Sequence, residues 1–362
     1  MSEIVQVNLG ARSYSIVVER GALTKIGARL RALGVGSRAA VVTSASILRL
    51  YGKAVIESLE EAGFTVTVID VPEGESAKTL AIAAHCWNTL LTAGLDRTST
   101  ILALGGGAVG DLAGFVAGTY MRGANFVQLP TTVLAQVDAS IGGKTAIDHP
   151  VAKNLIGVFY QPRLVLVDPT TAATLPNRDF RSGLAEIVKH GIVLDARYFA
   201  DLEASVADIS AREGATLERI IGGSCRLKAG VVERDPEEKT ELRFALNYGH
   251  TIGHALEAVT AFDRWTHGEA VALGIVTEAR LAARLGIASD ETADRQRRLL
   301  AAVGLPVSAA EVDVDAVVAA IRHDKKARDG RVPFVLAPEI GAFRVVYDVG
   351  AEDVRTVLAT LG

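Results

Sequence analysis

The chain has 362 residues, of which 49% are hydrophobic and 22% charged, and its formal net charge is −4. This composition excludes a disordered chain, and the near-balance of charge gives no reason to expect a nucleic acid or an anionic membrane as partner. No apolar run approaches the ~18 residues that cross a bilayer, and the N-terminal residues lack the pattern of a signal peptide. Two cysteines cannot build a disulfide framework, so we expect a cytoplasmic, enzyme-sized protein of two domains.

Short β-rich runs alternate with helical patterns through the first 170 residues. Residues 4–9 and 14–18 predict two strands beside a turn. Later, mostly continuous apolar runs predict parallel strands buried on both faces: Ala39–Thr43, Thr65–Val71, Thr100–Leu104, Phe126–Leu129 and Leu164–Val167. Three helical patterns lie among these runs, and a glycine stands where each helix should end: Ala22–Ala32 before Gly34, Ile47–Ala62 before Gly63, and Ala77–Thr92 before Gly94.

The pattern changes after Asp168-Pro169. Helical spacing is nearly continuous from residue 177 to 304, and two late runs, 332–336 and 343–347, predict a hairpin. We therefore expect a Rossmann-like α/β domain with a mostly parallel sheet over residues 1–170. A mostly α-helical domain over residues 171–362 should follow it. A cleft between two such domains is a favoured place for a ligand.

A glycine-rich segment follows the run Thr100–Leu104. Gly105, Gly107 and Gly110 match the pattern G-x-G-x-x-G, and a helix is expected to begin at Ala108. Such a loop lets the backbone approach a pyrophosphate, whose charge the helix N-terminus stabilises. The match is imperfect, because it follows a later strand and no acidic residue stands about 20 positions on. A tight turn without a ligand is the alternative.

Three of the seven histidines, His250, His254 and His267, lie within eighteen residues. His250 and His254 are four residues apart in a helical pattern and share a face, which is a spacing used in metal sites. Glu186 lies among apolar residues one helical turn from Lys189, where a carboxylate is costly unless it is paired or bound to a cation. Two histidines and one carboxylate describe a catalytic zinc site. Spacing alone does not say which two histidines bind.

Several basic residues stand in settings that are unusual for solvated lysines and arginines. Lys144 lies in the glycine-rich I-G-G-K-T segment, and Arg243 is expected to share a helix with the histidines. In a slightly acidic chain, cations collected around one cleft would indicate a polyanionic substrate, such as a sugar phosphate carrying a carboxylate. Taken singly, each of these basic residues would be interpreted as a solvated surface residue. The set is Arg122, Lys144, Lys153, Lys189, Lys228, Arg243, Lys325 and Lys326.

Six segments, in this order and with compatible spacing, resemble the 3-dehydroquinate synthase family over nearly the whole chain: GGGAVGDLAGFVAGTYMRG, LPTTVLAQVDASIGGKTAID, KNLIGVFYQP, RSGLAEIVKHG, LNYGHTIGHALE and HGEAVALG. The resemblance implies conversion of 3-deoxy-D-arabino-heptulosonate 7-phosphate to 3-dehydroquinate and phosphate, the second step of the shikimate pathway. It implies one NAD and one divalent metal, zinc or cobalt. It also implies the course of the reaction: transient oxidation, phosphate elimination, re-reduction, ring opening and intramolecular aldol closure.

The resemblance also assigns expected roles to residues. The metal ligands would be Glu186, His250 and His267, with His254 on the substrate side, and a homodimer is expected because the arginine matching Arg122 reaches the phosphate from the neighbouring subunit. The expected catalytic residues are Asp138, Lys144, Lys189, Asn247 and His254. The expected substrate contacts are Arg122, Lys144, Lys153, Asn154, Lys228, Arg243, Lys325 and Lys326. The expected NAD contacts are Glu73, Gly74, Glu75, Ser76, Ala77, Lys78, Gly107, Ala108, Val109, Gly110, Asp111, Thr131, Thr132, Lys144, Lys153, Thr171, Ala172, Ala173 and Thr174.

Three other functions compete with this one. A sister sugar phosphate cyclase, such as an aminodehydroquinate or deoxy-inosose synthase, would keep the metal and NAD residues, although Lys228, Arg243 and Asn247 together favour a carboxylated substrate. A polyol dehydrogenase of the iron-alcohol-dehydrogenase group would lack the strings K-N-L-I-G and L-N-Y-G-H-T. A non-catalytic NAD-binding protein would have no need of buried titratable groups, and Glu186, His250 and His267 beside Lys189 argue against it.

Overall fold

The computed structural model describes residues 3–322 and 332–362, so Lys325 and Lys326 lie outside the described residues. The chain divides into two compact units, Met1–Leu175 and Pro176–Gly362, five residues beyond the predicted division. Among the described residues, no helix combines the length and the apolar character that a membrane span requires.

The first unit contains nine strands: β1 Glu3–Val7, β2 Tyr14–Val18, β3 Arg38–Thr43, β4 Thr65–Asp70, β5 Thr100–Gly105, β6 Asn125–Pro130, β7 Lys144–His149, β8 Ala152–Phe159 and β9 Leu164–Val167. Seven of them form a sheet in the order β1-β2-β9-β6-β5-β3-β4. Only the β1–β2 pair in this sheet is antiparallel. The predicted α/β domain with a mostly parallel sheet is therefore confirmed.

The central strands are continuous apolar runs because they supply two hydrophobic cores at once. On β5, Ile101 and Ala103 join one core while Leu102 and Leu104 join the core on the opposite face. Five helices cover these faces: α1 Ile26–Ala32, α2 Ala45–Ile47, α3 Lys53–Glu61, α4 Leu80–Thr92 and α5 Gly107–Thr119. The predicted helix ends at Gly34, Gly63 and Gly94 are confirmed. Each of these glycines has a positive φ, between +67° and +78°, which glycine adopts without steric cost.

The antiparallel hairpin of β7 and β8 was not predicted. Lys144 was expected in a loop and Lys153 ahead of an apolar run, yet both lie on strands of this hairpin. No strand was predicted at β8 because residues 154–157 are all exposed. The alternation of buried and exposed residues that marks a half-buried strand is therefore missing.

The second unit is mostly helical, as predicted. Its helices are α6 Asn177–Leu194, α7 Ala196–Ala204, α8 Val206–Ser210, α9 Gly214–Arg234, α10 His250–Val259, α11 His267–Arg284, α12 Asp290–Ala302, α13 Val314–Arg322 and α14 Ala351–Leu358. The predicted C-terminal hairpin is confirmed as an antiparallel pair, β10 Phe334–Leu336 and β11 Arg344–Val346.

The expectation that Arg243 shares a helix with the histidines is wrong. Arg243 lies in a 3₁₀ segment, Glu241–Asn247, and α10 begins only at His250. Gly249 separates the two segments because its φ of +78° is left-handed and interrupts the right-handed helical path.

Helices α10 and α11 meet backbone to backbone. A Cβ atom added to Gly274 on α11 would lie 1.9 Å from the Gly249 carbonyl oxygen, and one added to Gly253 on α10 would lie 3.1 Å from the Ala270 carbonyl oxygen. Glycine at these positions is what allows the close approach. Both helices begin with a histidine, so their packing sets the distance between His250 and His267.

Candidate active site

Three helices of the second unit bring Glu186, His250 and His267 together. Glu186 comes from the middle of α6, and the two histidines are the first residues of α10 and α11. His250 Nε2 lies 3.6 Å and His267 Nε2 lies 3.7 Å from Glu186 Oε1. Glu186 is fully buried, whereas His267 is partly exposed.

These three residues fit a divalent cation. Glu186 Oε1 is buried and has no hydrogen-bond partner among the described residues, although an ionised carboxylate oxygen needs one. Ligand atoms about 2.1 Å from a tetrahedral zinc ion lie about 3.4 Å from one another, close to the observed separations. One carboxylate and two imidazoles are a donor set that zinc prefers, and it leaves a fourth position for substrate.

The outer nitrogens of both histidines have partners that orient the rings. His250 Nδ1 lies 3.1 Å from the Tyr248 carbonyl oxygen, and His267 Nδ1 lies 3.4 Å from Glu257 Oε1. A proton on each Nδ1 satisfies these acceptors and leaves the Nε2 lone pairs directed toward Glu186. The sequence analysis missed Glu257, although it follows His250 by seven residues, about two helical turns, and so lies on the same side of α10.

Lys189 pairs with the other oxygen of Glu186. Its Nζ contacts Glu186 Oε2 and donates a hydrogen bond of 2.7 Å to the Leu246 carbonyl oxygen. Both side chains are buried, so the pair is far less screened than a surface ion pair. The two Glu186 oxygens thus have different surroundings: one faces a cation of the chain and the other faces the histidines.

The other residues predicted near substrate in this unit differ in exposure. Lys228 and Arg243 are buried, Asn247 is half-buried and His254 is exposed. The Arg243 Nη1 donates to the Asp235 carbonyl oxygen at 3.1 Å, and its Nε lies 3.5 Å from Glu238 Oε1. The His254 ring centroid lies 5.2 Å from that of His250. Lys189, Lys228 and Arg243 are therefore not solvated surface residues.

In the first unit, the glycine-rich loop lies where the strand order reverses. From β3 the chain proceeds to the sheet edge at β4 and then returns to the other side of β3, through β5 and β6 to β9. Gly105–Gly107 leave the carboxyl end of β5 beside β3, and α5 begins at Gly107 rather than at the predicted Ala108. Ligands of open α/β sheets bind at such a reversal, so the late position of the motif in the chain does not weigh against a nucleotide site.

Lys78 organises the charged groups beside this loop. It is buried, and its Nζ lies 2.8 Å from Asp111 Oδ2 and 3.1 Å from Glu75 Oε1. It also contacts the amide oxygen of Asn154 and lies 3.9 Å from Asp148 on the β7–β8 hairpin. Burial raises the pKa of Asp111 to about 6, against the lowering effect of Lys78. Lys78 is therefore not a solvated surface lysine, although Glu73, Gly74 and Glu75 of the preceding turn are exposed.

The remaining predicted residues of this unit occupy several elements. Asp138 is half-buried in a π-helical turn, Ala135–Ala139. Of the basic residues, Arg122 and Lys144 are exposed and Lys153 is half-buried, and Asn154 is exposed with a φ of +58°. The predicted threonine and alanine contacts are Thr131, Thr132, Thr171, Ala172, Ala173 and Thr174, of which Thr131, Thr171 and Ala172 are buried.

Comparison with known proteins identifies relatives over the full length. The family descriptions "3-dehydroquinate synthase N-terminal" and "3-dehydroquinate synthase C-terminal" match residues 68–182 and 183–327. The chain is 49% identical over 340 residues to the 3-dehydroquinate synthase of Pelotomaculum thermopropionicum. The aligned region covers 94% of this chain and 91% of that relative. It is 44% identical to that of Desulforamulus reducens, with coverage of 98% and 99%.

Solved structures with similar folds carry ligands. The 2-epi-5-epi-valiolone synthase ValA from Streptomyces hygroscopicus, with NAD⁺ and Zn²⁺ bound, is 28% identical, has a TM-score of 0.88 and covers 96% of each chain. A 2-deoxy-scyllo-inosose synthase complexed with carbaglucose-6-phosphate, NAD⁺ and Co²⁺ is 24% identical, with a TM-score of 0.87 and 99% coverage of each chain. At that identity the second likeness shows the fold alone.

We predict that Glu186→Gln lowers the zinc affinity of the folded protein at least about 100-fold, because an anionic ligand becomes a neutral amide. Competition with a chromogenic chelator measures the affinity. The matched control is Glu203→Gln, which removes the carboxylate of a surface ion pair with Arg295 and should leave zinc affinity unchanged. Equal zinc affinity in the two variants would contradict the assignment of Glu186 as a ligand.

Proposed function

The chain belongs to the 3-dehydroquinate synthase family, and on that premise we propose that it converts 3-deoxy-D-arabino-heptulosonate 7-phosphate to 3-dehydroquinate and phosphate, with NAD as a recycled catalyst. The observation that carries the proposal is the convergence of Glu186, His250 and His267, with Glu186 Oε1 lacking a hydrogen-bond partner among the described residues. A carboxylate and two imidazoles are a donor set suited to the divalent ion that the proposed reaction uses.

The proposal assigns each cofactor to one unit. Glu186, His250 and His267 would hold the divalent ion, zinc or cobalt, and the residues around Gly107–Asp111 and Glu73–Lys78 would hold NAD. When bound, NAD supplies a reversible hydride acceptor and the metal supplies a Lewis acid. In support, α5 offers its N-terminus directly after the glycine-rich loop, where a pyrophosphate is stabilised by backbone N–H groups and the helix dipole.

Two groups of cations would hold the two anionic ends of the substrate. Lys228 and Arg243 are buried in the second unit, and they would form charge-assisted hydrogen bonds with a carboxylate of the substrate. The phosphate would be held by residues of the first unit that are exposed or half-buried, namely Arg122, Lys144, Lys153 and Asn154. Holding both ends fixes the conformer in which the intramolecular steps occur.

The remaining polar residues would position protons and hydroxyl groups. Lys189 Nζ, already bound to Glu186 and to the Leu246 carbonyl oxygen, has a third proton to donate to a substrate oxygen. Asn247, His254 and Asp138 would contact the ring hydroxyls. Lys189 and the two histidines would thus be linked through the Glu186 carboxylate in one buried network.

A sister cyclase activity is the second candidate, favoured by the likeness to ValA, which is a 2-epi-5-epi-valiolone synthase. Lys228 and Arg243 are buried cations and weigh against it, since cations complement a substrate that carries a carboxylate. Activity on a substrate without a carboxylate therefore distinguishes the two candidates.

We predict that the protein releases many molecules of inorganic phosphate per NAD from 3-deoxy-D-arabino-heptulosonate 7-phosphate, with no accumulation of NADH absorbance. The physical reason is that the hydride returns to the same substrate, so NAD is regenerated in every turnover. Phosphate release and absorbance are followed in one reaction containing catalytic NAD and zinc. Stoichiometric NADH without phosphate would indicate a dehydrogenase. Phosphate release only from an analogue lacking the carboxylate would indicate a sister cyclase.

We further propose that the protein is a homodimer joined through the β7–β8 hairpin. Val151, Leu155, Ile156 and Phe159 of this region are between 41% and 83% exposed, and an apolar patch of this kind is typical of a protein interface. Arg122, exposed at a turn with a positive φ, would then reach the substrate of the second copy.

For the dimer, we expect sedimentation to give twice the chain mass of 38.1 kDa, and we expect Phe159→Asp to shift the protein toward monomer, since it buries a charge at the interface. Leu91→Asp, at an exposed apolar position on α4, is the control. A monomeric wild-type protein, or equal dissociation of both variants, would contradict the proposed interface.

The proposal also includes the cytoplasm as the compartment. Cys86 and Cys225 are free, buried thiols, and burial raises the pKa of Cys86 to about 12, so that this thiol is little reactive. Free thiols are typical of proteins from reducing compartments. Fractionation of the source cells tests the location, and recovery outside the cytoplasm would contradict it.

A further inference from the structure

Glu278 on α11 is a buried carboxylate to which the proposed reaction gives no role. It is fully buried, and both of its carboxylate oxygens face backbone N–H groups of another segment. Glu278 Oε2 accepts a hydrogen bond of 2.7 Å from the Gly249 N–H, and Oε1 accepts one of 3.3 Å from the Ile252 N–H. Both donors belong to the first turn of α10.

These two donors are the ones that a capping box satisfies. In that motif the N-cap side chain accepts from the third helical residue, and the side chain of the third residue accepts from the N-cap N–H. Helix α11 has the motif within its own sequence, through Thr266 and Glu269. Helix α10 has glycine at its N-cap and isoleucine at the third position, so neither residue can accept, and Glu278 supplies both acceptors from the neighbouring helix.

The glycine at the N-cap is imposed by the packing. Gly249 has a φ of +78°, and a Cβ atom there would lie 2.8 Å from the Val271 carbonyl oxygen and 2.6 Å from Ile275 Cγ1, both on α11. An ordinary capping residue such as serine or aspartate therefore does not fit. The close approach that excludes a local cap is also what brings Glu278 within hydrogen-bonding distance of the first turn.

The two hydrogen bonds that Glu278 accepts hold the turn of α10 that carries His250, a proposed metal ligand. His250 follows Gly249 directly, and Tyr248, on the other side, donates its hydroxyl to Gln296 Oε1 at 2.7 Å. Glu278 follows His267 by eleven residues, about three helical turns, and so lies on the same face of α11. One face of α11 thus bears both His267 and Glu278. Glu278 in turn caps α10, the helix that begins with His250.

We propose that Glu278 is a positioning residue for the metal centre: by capping α10 from α11 it fixes the backbone of His250 so that Nε2 faces Glu186 Oε1. This inference rests on the proposed metal site and adds to it a residue that does not touch the metal. The role differs from general stabilisation, because it requires the affinity and geometry of the bound metal to depend on the Glu278 carboxylate.

The test compares Glu278→Gln with Thr277→Ala in the full chain. The glutamine keeps the shape but offers only one acceptor and directs its amide N–H₂ at the other backbone donor. Thr277 is the buried neighbour on the same helix, and its hydroxyl donates to the Leu273 carbonyl oxygen of its own helix at 2.8 Å. The measurements are Co²⁺ affinity by chelator competition, the visible spectrum of the Co²⁺ protein and the Tm of the metal-free protein.

We expect Glu278→Gln to weaken Co²⁺ binding about tenfold or more and to change the Co²⁺ spectrum, whereas Thr277→Ala lowers Tm and leaves affinity within about twofold of wild type. Equal Co²⁺ affinity and identical spectra in the two variants would overturn the inference. If Glu278→Gln does not fold, Glu278→Asp, which keeps the charge on a shorter side chain, takes its place, and wild-type affinity and spectrum in that variant would overturn it. A wild-type protein that binds no Co²⁺ would instead refute the metal site itself.

Discussion

The buried carboxylate of Glu186, in the middle of α6, is the constraint on which the site depends. Removing a carboxylate from water costs several kcal/mol unless cations compensate it, and Lys189 pairs with one oxygen of Glu186. The other oxygen faces two histidine nitrogens and lacks a hydrogen-bond partner among the described residues. The proposed divalent cation would satisfy that oxygen, so the same ion would meet a requirement of protein stability and a requirement of catalysis.

The packing of α10 against α11 determines where the backbone places His250 and His267 relative to each other. Gly253 and Gly274 allow the two helices to touch, and the first residue of each is a proposed metal ligand, His250 or His267. Because the contact excludes a capping side chain at Gly249, the first turn of α10 depends on the buried carboxylate of Glu278. The distance between the histidines is therefore set by main-chain contacts, which vary less than contacts between flexible side chains.

Much of this arrangement was predictable from the sequence because short-range sequence patterns indicate the same elements that the complete fold contains. The continuous apolar strands, the glycines after helices and the histidine spacing each have a direct physical cause, and the family that the six segments indicated is confirmed. The β7–β8 hairpin was missed because exposed Leu155 and Ile156 give β8 no alternation. The separation of Arg243 from α10 was missed because it depends on the left-handed Gly249. Glu278 gave no signal at all, since its partners are backbone groups twenty-six and twenty-nine residues away.

The central claim is that one divalent ion is bound by a carboxylate and two imidazoles from three helices. X-ray absorption spectroscopy of the zinc-loaded protein at the zinc edge tests it most directly. The account predicts histidine scattering from two nitrogens at about 2.0–2.1 Å, with oxygen at about 2.0–2.2 Å and no sulfur near 2.3 Å. A spectrum with a sulfur ligand, or one without histidine scattering, would contradict it.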